Sequence, residues 1–317
     1  MTTKISPDGT VGIAFLGQIR LSGKTISEGA EHISKGLAPF VKHPVVSITV
    51  KEISSESATI VGACAKPVPG PAAAESGNPM ASGVRMSGAT KIITLPGGAK
   101  MEMIWCEPGT FMMGSPLAER GRFDDEPLHP VTLTKGFWLG KYEVTQGQWQ
   151  SVMGHNPSKF KDPDRPVESV SWEDCSLFIS RLNTELGGVA RFPSEAEWEY
   201  ACRAGSSNPV SGNGLLSDMA WYDANSGNET HPVGKNHANA WGFYDMHGNV
   251  LEWCYDWFGN FEAKATDPRG PASGSFRVLR GGCWFFYARD CRSAYRLKRD
   301  PVLRNAIFGF RLACSDK

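Results

Sequence analysis

The 317-residue sequence has no excess of either charge and no long apolar run. Lysine plus arginine number 33, as do aspartate plus glutamate, so no overall field favours nucleic acid, acidic substrates or a membrane surface. No apolar stretch approaches the roughly 18–20 residues that a membrane span requires. We therefore expect a soluble chain, as given, without a signal or transmembrane segment, whose partner is not nucleic acid and is recognised by local chemistry.

The eight cysteines lack the patterns of metal and redox sites. No CxxC pair is present and no cysteine and histidine cluster has zinc-ligand spacing, so neither a zinc site nor a thioredoxin-like site is indicated. We expect mainly buried thiols. The even number also suits disulfides in an oxidising compartment, so the redox compartment stays open.

Large apolar residues are scarce in residues 63–90, which are rich in proline, alanine, glycine and serine. This composition predicts a linker, because such a segment has little to bury in a core. It separates a small αβ module, residues 1–62, from a main domain, residues 91–317.

The small module alternates strand and helix signals. Val11–Leu16 and Val45–Ile53 predict strands, and the apolar spacing within Ser27–Phe40 predicts a helix. The run from Ser6 to Glu52 resembles the polysaccharide-export domain of bacterial envelope proteins, a small β-grasp-like unit, although it lacks that domain's usual first part. An unrelated αβ spacer is the alternative. The localisation stays unknown, and display at the cell envelope or surface is compatible with the resemblance.

Two helices stand out in a main domain whose other signals indicate short strands and many loops. Ser171–Leu186 begins with a cap-like serine and stops at Gly187. Ser194–Arg203 begins with a serine followed three residues later by Glu197, the spacing of a capping box. The ten tryptophans are expected in the core, where their rings pack and their polar edges form hydrogen bonds.

Six motifs follow one another through the main domain. They are PGTFMMGS (Pro108–Ser115), HPVTLTKGFWLGKYEVTQGQW (His129–Trp149), RPVESVSWEDC (Arg165–Cys175), RFPSEAEWEYACRAG (Arg191–Gly205), HPVGKNHANAWGFYDMHGNVLEWCYDW (His231–Trp257), and the segment from FRVLRGGCW to GFRLA (Phe276–Ala313). Each is weak alone, but their order is a specific signature. They resemble the formylglycine-generating-enzyme or sulfatase-modifying-factor domain. The resemblance implies an α+β, C-type-lectin-like fold with short strands and many loops.

Charged residues crowd the second of the two helices. Glu195, Glu197, Glu199 and the nearby Arg191 and Arg203 lie on several helix faces, and we expect them to satisfy one another inside the scaffold. A sharper alternative is that Glu195 and Glu199 act as a general acid and base. No neighbouring histidine or nucleophile is indicated, so the scaffold interpretation is preferred.

One loop has the pattern of a calcium site. Asp245 and Glu252 bracket a Gly-Asn-Val sequence, so two carboxylates and intervening carbonyls can converge as oxygen ligands. Members of the family bind calcium through the corresponding loop, and the resemblance transfers the ligands to Asp245, Gly248, Val250 and Glu252. A second calcium site of the catalytic members has no counterpart that we can match, so at most one ion is expected. A loop held by ordinary hydrogen bonds is the alternative.

The catalytic pattern of the family is incomplete. Its catalysts oxidise a substrate cysteine with O₂ by means of copper(I) held by two cysteines five residues apart. Cys291 aligns with the second of these cysteines, but Phe286 occupies the position of the first. Cys283 lies too early for a direct match, although it can in principle approach Cys291. We therefore expect no catalytic residues and no copper. A copper-dependent formylglycine-generating oxidase acting on a sulfatase-type substrate is the alternative function.

The terminal segment, residues 277–313, contains the frame RGGxWxxxARxCRSAxRxxxxPxxRxxxxGFRLA, in which the x positions hold unlike residues. This frame resembles variable proteins of diversity-generating retroelements, in which the C-terminal segment of a C-type-lectin fold is diversified to bind varied ligands. Almost every residue at the x positions can be reached by changing adenines in an asparagine codon, and Lys298 departs from the simplest version. The candidate ligand-binding residues are Phe285, Phe286, Tyr287, Asp290, Tyr295, Leu297, Lys298, Arg299, Asp300, Val302, Leu303, Asn305, Ala306 and Ile307.

These patterns together predict a non-catalytic protein that binds a ligand through its terminal segment. Aromatic and arginine side chains supply large contact areas, and the surrounding charges supply specificity. A protein or other macromolecule is the expected ligand, since the segment has no sugar-type calcium motif and a lectin fold does not imply lectin function. We expect the residues of 285–287 and 297–303 to be exposed on one face, while Trp253, Arg280 and Arg311 hold the fold. An ordinary non-catalytic family member is the alternative.

Overall fold

The computed structural model describes residues 86–212 and 214–316 in full, and among residues 2–61 it describes five strands by their backbone. The chain divides into two compact units, Met1–Ala81 and Ser82–Lys317. In the first unit, β1, β5 and β4 form an antiparallel sheet, and β2 and β3 form a hairpin. These strands are β1 (Thr2–Ile5), β2 (Thr10–Ile13), β3 (Gly17–Arg20), β4 (Thr49–Ser54) and β5 (Ser57–Val61).

The strands predicted in the small module overlap the observed ones. β2 begins one residue before the predicted Val11–Leu16, and β4 coincides with the second half of the predicted Val45–Ile53. The helix predicted over Ser27–Phe40 lies outside the described residues, as does the linker up to residue 85. The linker and the domain boundaries therefore stay predictions.

The second unit is built from short strands. They are β6 (Thr90–Thr94), β7 (Lys100–Cys106), β8 (Gly109–Met113), β9 (His129–Leu133), β10 (Phe137–Gly140), β11 (Ala190–Arg191), β12 (Ala220–Trp221), β13 (His247–Gly248), β14 (Leu251–Trp257), β15 (Ala265–Thr266), β16 (Arg277–Arg280), β17 (Leu297–Arg299), β18 (Phe308–Phe310) and β19 (Ala313–Ser315). Four helices, α1 (Gln146–Met153), α2 (Trp172–Leu186), α3 (Glu195–Arg203) and α4 (Leu216–Met219), and the 3₁₀ turns Pro96–Gly98 and Ala288–Asp290 complete its described elements.

The strands of this unit form several small sheets. The largest has the order β11-β19-β10-β7-β6. The last described strand, β19, thus lies between β11 and β10 in the same sheet as β6, the first strand of the unit. A second sheet has the order β17-β16-β14-β18, in which β14 runs antiparallel to β16 and parallel to β18. A third has the order β15-β9-β8. The terminal segment therefore contributes strands to two different sheets.

Capping boxes begin the three longer helices. The side chains of Thr145, Ser171 and Ser194 each accept a hydrogen bond from a backbone N–H of the first turn. The side chain three residues later accepts a hydrogen bond from the backbone N–H of the cap residue. The predicted helices over Ser171–Leu186 and Ser194–Arg203 are confirmed as α2 and α3. The shorter α1 was not predicted, although Thr145 and Gln148 have the same spacing.

Tryptophan rings fill the core of the second unit. Six of the ten tryptophans are buried and the other four are half-buried. Trp253 on β14 is completely buried, and its indole N–H donates to the carbonyl of Val170 at 3.1 Å. Its ring packs edge to face on Phe308, with centroids 5.4 Å apart. The expected arrangement, with rings in the core and polar edges hydrogen-bonded, holds at this position.

The cysteines of the second unit are buried free thiols. All seven described cysteines have this state, as the lack of metal and redox patterns predicted. Within residues 86–212 and 214–316, no helix is long and apolar enough to cross a membrane.

We predict that Trp253→Ala destabilises the second unit by about 3–5 kcal/mol, because the change leaves a large cavity and an unpaired Val170 carbonyl. Tyr255→Ala on the same strand is the control, since its ring is 41% exposed and should cost at most about 1 kcal/mol. Urea denaturation of the full chain, followed by tryptophan fluorescence, measures both changes. All ten tryptophans lie in the second unit, so the signal reports on it alone. Equal costs for the two variants would contradict the assignment of Trp253 to the core.

Candidate ligand-binding surface

The terminal segment is fixed from beneath by Arg280, a completely buried residue at the end of β16. Its guanidinium donates to the carbonyls of Ser293 at 2.8 Å, Ala294 at 3.0 Å and Tyr295 at 2.6 Å. It also pairs with the Glu199 carboxylate. Because one rigid planar group reaches three successive carbonyls, the backbone of residues 293–295 has little freedom.

Other buried arginines of the segment pair with carboxylates from earlier parts of the chain. Arg292 makes a bidentate contact with Glu126, at 2.7 and 2.8 Å. Arg296 makes a bidentate contact with Glu195, at 2.6 and 2.8 Å. These fork-like pairs fix orientation as well as distance. The segment is therefore attached at several points to residues far away in the sequence.

The carboxylates of α3 serve these attachments. Glu199 accepts from Arg203 and from the backbone N–H of Gly114, both at 2.8 Å, as well as from Arg280. Both oxygens of Glu195 are taken by Arg296. The geometry agrees with the scaffold interpretation of these residues and gives no support to an acid and base pair.

The side chains between these attachments point outward. Phe285 is 57% exposed, Tyr287 64%, Val302 53% and Leu303 42%. The two loops that carry them adjoin, because the indole N–H of Trp284 donates to the carbonyl of Ala306 at 3.0 Å. Of the other candidate residues, Lys298, Asp300 and Asn305 are exposed, and Phe286, Leu297, Arg299, Ala306 and Ile307 are half-buried.

Two candidate ligand-binding residues are instead buried, Asp290 and Tyr295. The Tyr295 ring packs edge to face on Phe123 and Phe286, with centroids 5.6 and 6.1 Å away, and burial raises the pKa of its hydroxyl. The Tyr295 carbonyl is also bound by Arg280. The prediction that these two side chains belong to the outer surface is therefore wrong, because the backbone anchors beside them draw them inward.

A shallow cleft borders the exposed residues on one side. It is lined by Tyr222, Asp223 and Ala224 and by Tyr287, Ala288 and Arg289. The backbone N–H of Asp223 donates to the carbonyl of Phe286 at 3.0 Å, which holds the two loops together. This neighbour was not predicted from the sequence, since the contact joins loops more than 60 residues apart. We call the surface formed by this cleft and by Phe285, Tyr287, Lys298, Val302 and Leu303 the binding face.

The two cysteines of the segment come together beneath the binding face. Cys283 and Cys291 are both buried, and they lie close enough for each to influence the charge of the other. Burial raises the pKa of Cys291 to about 12 and also raises that of Cys283. Copper(I) binds thiolates and would have to displace both thiol protons, and Phe286 stands where the family catalysts have one of their two cysteines. Phe286 is half-buried and packs against the core.

The two carboxylates of the predicted calcium loop, Asp245 and Glu252, lie in a buried cluster with Glu143 and Arg311. Both oxygens of Glu252 accept from Arg311, at 2.7 to 3.2 Å, so Glu252 does not fit the role of a free calcium ligand. Asp245 does fit, because its Oδ1 is buried without a partner. Glu143, which the sequence did not indicate, lies in the same cluster, and burial and the charge of Asp245 raise the pKa of its carboxyl. No group of three or more acidic, histidine or cysteine side chains in metal-binding arrangement is found in the part of the chain described here.

Comparison with known proteins identifies the family of the second unit. Residues 91–315 match the model of the sulfatase-modifying factor enzyme 1-like domain. The chain belongs to this family. Residues 1–51 match the model of polysaccharide biosynthesis and export proteins.

Solved structures agree with the sulfatase-modifying-factor assignment. Treponema denticola variable protein 1 superposes with a TM-score of 0.67 and is 32% identical, over 72% of this chain and 99% of that one. PvdO from Pseudomonas aeruginosa superposes with a TM-score of 0.63 and is 30% identical, over 74% of this chain and all of that one. The predicted α+β, C-type-lectin-like fold is confirmed by these neighbours.

Relatives with the sulfatase-modifying-factor domain carry different functions in their names. A serine/threonine-protein kinase of Chlamydia caviae is 34% identical, over 67% of this chain and 38% of its own length. The formylglycine-generating enzyme of Streptomyces coelicolor is 32% identical, over 56% of this chain and 60% of that enzyme. The chain thus spans less than two thirds of either relative. Membership of the family fixes the fold and leaves the function to the site.

We predict that calcium raises the melting temperature of the full chain, because a cation would supply the partner that Asp245 Oδ1 lacks within a cluster of excess negative charge. The carbonyls of Gly248 and Val250 remain its other proposed ligands. Thermal denaturation with calcium, and then with excess chelator, measures the effect. Asp245→Asn is the matched control and should show no calcium response. An unchanged melting temperature in the parent chain would remove calcium from this loop and leave it held by hydrogen bonds.

Proposed function

We propose that this chain is a non-catalytic binding protein whose binding face takes up a macromolecular ligand, most simply a protein. One observation carries the proposal: large apolar side chains are exposed on a backbone that buried arginines hold rigid. A patch of exposed large apolar side chains usually marks an interaction site. The similarity to a protein named as variable supports the same function.

The rigidity of the backbone favours binding. Loops that must be ordered on binding lose conformational freedom, and that cost reduces affinity. Here the carbonyls of residues 293–295 are already fixed by Arg280, and the Trp284 N–H groups donate to Asn249 and Ala306. Phe285 and Tyr287 can therefore contact a ligand without first losing the freedom of their backbone.

The binding face combines apolar groups with positive charge. Lys298 lies over the ring of Phe258 at 4.6 Å, and the Arg299 side chain donates to the carbonyl of Lys298. Aromatic anchors usually dominate interface energies, whereas charges at the rim chiefly orient the partner. The ligand we propose is thus a protein surface with an apolar centre and acidic edges. Display at the cell envelope, as the match of residues 1–51 suggests, would expose the face to such partners.

We further propose that the x positions of the frame are diversified between copies of the gene. The frame residues Arg280, Arg292, Arg296 and Arg311 are buried anchors, whereas most x positions have exposed or half-buried side chains. Sequencing of the neighbouring DNA tests the idea. A reverse transcriptase gene and a near-copy of the terminal coding segment support it, and their absence leaves an ordinary non-catalytic family member.

A copper-dependent oxidase is the second candidate function, favoured by the approach of Cys283 to Cys291 and by the enzymes among the relatives. We predict that the chain loaded with copper(I) does not oxidise a cysteine-containing sulfatase-type peptide, because Phe286 stands where the family catalysts have one of their two copper-binding cysteines. Mass spectrometry of the peptide detects any formylglycine. Turnover that Cys291→Ser abolishes would establish the oxidase and reject the binding protein.

We predict that exchanging Phe285, Tyr287, Val302 and Leu303 together for asparagine abolishes binding and changes stability by no more than about 2 kcal/mol. Substitutions of exposed side chains usually cost within about 0.5 kcal/mol each, while loss of the anchors removes most of the binding energy. The probe is a ligand recovered by panning a displayed peptide library against the immobilised full chain. A binding titration and a urea denaturation measure the two effects.

The control is the pair Leu128→Asn and Leu177→Asn, which alters exposed leucines outside the terminal segment. This variant should keep its affinity. A quadruple variant that binds normally, or that unfolds as easily as the Trp253 variant, would show that the binding face lies elsewhere.

A further inference from the structure

A second cavity is formed at the N-terminal end of α3, with a volume of about 290 Å³. Its walls come from β14, from the start of α3 and from the loop after β14, and they include none of the exposed residues of the binding face. Met113, Ala196, Phe261 and Ala265 make part of the wall apolar. A space of this size holds a ligand of several non-hydrogen atoms.

One carboxylate in the wall accepts a hydrogen bond through only one of its two oxygens. Asp256 is 97% buried, and its Oδ2 accepts the backbone N–H of Glu195 at 2.8 Å. Its Oδ1 has no hydrogen-bond partner among the described residues. Burial, followed by the charge of Glu195, raises the pKa of Asp256 to about 8. A buried carboxyl with one oxygen that accepts no hydrogen bond can take a donor from a ligand.

A histidine in the wall offers a second acceptor. His129 is 4% exposed, and its Nδ1 lies 2.8 Å from the carbonyl of Pro127. Because a carbonyl only accepts, Nδ1 carries the proton, and Nε2 of the neutral ring is then an acceptor. Nε2 has no partner in residues 86–212 or 214–316. The imidazole is held against Phe261, with ring centroids 4.6 Å apart.

Two charges inside the cavity balance each other, whereas Arg269 and Glu262 lie exposed at its edge. Glu195 is paired with Arg296 through both of its oxygens, and Arg296 is held between the rings of Phe258 and Phe261 at 4.4 and 3.8 Å. Its remaining contacts go to the carbonyls of Asp125 and Gly259. The cavity therefore offers two acceptors to a ligand, Asp256 Oδ1 and His129 Nε2. The Asp256 carboxyl forms no ion pair with a cationic side chain among the described residues.

We propose that this cavity binds a small organic ammonium ion, whose N–H groups donate to Asp256 and His129 and whose carbon chain packs on the apolar wall. An ammonium group has donors and no acceptor, which matches the free atoms of the cavity. It also supplies the positive charge that lets Asp256 ionise where burial otherwise favours the neutral acid. A neutral alcohol could make one of the hydrogen bonds but not the ion pair.

The pH dependence follows from the charges around Asp256. Glu195 and Glu197 favour its neutral form, whereas Arg269 favours its carboxylate. Arg277 is also influenced by the charge of Asp256. Arg296, His129 and the rim residue Glu262 complete the charged or titratable lining. Since the ammonium ion needs the carboxylate, binding below about pH 8 must release a proton and must strengthen as the pH rises.

The test is calorimetric titration of the full chain with n-butylammonium chloride, in two buffers of different ionisation enthalpy, from pH 6 to pH 9. We expect saturable binding, release of up to one proton near pH 7, and an affinity that rises with pH and levels off above about pH 8. The isosteric variant Asp256→Asn keeps the acceptor for the Glu195 N–H, so it should fold normally. It should lose roughly tenfold or more in affinity, because a charge-assisted hydrogen bond is removed, and it should lose the pH dependence.

Two controls separate the cavity from general attraction of cations. 1-Butanol, the neutral counterpart, should bind far more weakly than n-butylammonium, and Glu262→Gln at the rim should keep its affinity within roughly threefold. Absence of saturable binding, equal binding of 1-butanol, or an Asp256→Asn variant that binds like the parent chain would each overturn the proposal. Because the site shares no residue with the binding face, these outcomes are independent of the proposed function.

Discussion

The buried guanidinium of Arg280 imposes the constraint from which the rest of the terminal segment follows. A charge inside a protein is tolerated only when it is paired and hydrogen-bonded. Glu199 supplies the charge, and the carbonyls of residues 293–295 supply the hydrogen bonds. The chain must therefore return over β16 in one path. Arg292, Arg296 and Arg311 repeat the arrangement with Glu126, Glu195 and Glu252, so partners 59 to 166 residues away fix the segment.

Such ion pairs determine position more than they add stability. The cost of removing both charges from water offsets much of their attraction, but loss of one partner leaves an unpaired buried charge. The frame therefore tolerates little change at its arginines. The exposed side chains at Phe285, Tyr287, Val302 and Leu303 share no such partners, so their replacement leaves the frame intact. A segment can thus combine a fixed backbone with freely varied side chains, which is the physical requirement for a diversified binding surface.

The sequence predicted the local structure better than the long-range structure. A cap-like serine and the stop at Gly187 located α2, and a capping box located α3, because these signals lie close to the helix ends. The motif order identified the fold. Prediction from the sequence failed at Asp290 and Tyr295, whose burial depends on anchors that only the folded chain brings together. It also assigned Glu252 to a metal when Arg311, 59 residues away, takes both of its oxygens. Glu143, Tyr222 and Asp223 were missed for the same reason.

In this fold, an ion pair with an arginine distinguishes the buried carboxylates that hold the scaffold from those at the candidate ligand sites. Glu126, Glu195, Glu199 and Glu252 each face an arginine, and each belongs to the frame. Asp245 and Asp256 are also buried but form no ion pair with an arginine among the described residues, and burial raises the pKa of Asp256 to about 8. A carboxyl with a raised folded-state pKa favours the native state at low pH, and this contribution is lost as the pH rises from about 4 towards 8. A bound cation would stabilise the ionised carboxylate and so offset this loss of stability. Asp245 and Asp256 destabilise the unliganded protein at neutral pH, and a cationic ligand bound to them can therefore add stability. The glutamates paired with arginines already have their cation, so a cationic ligand gains little from them.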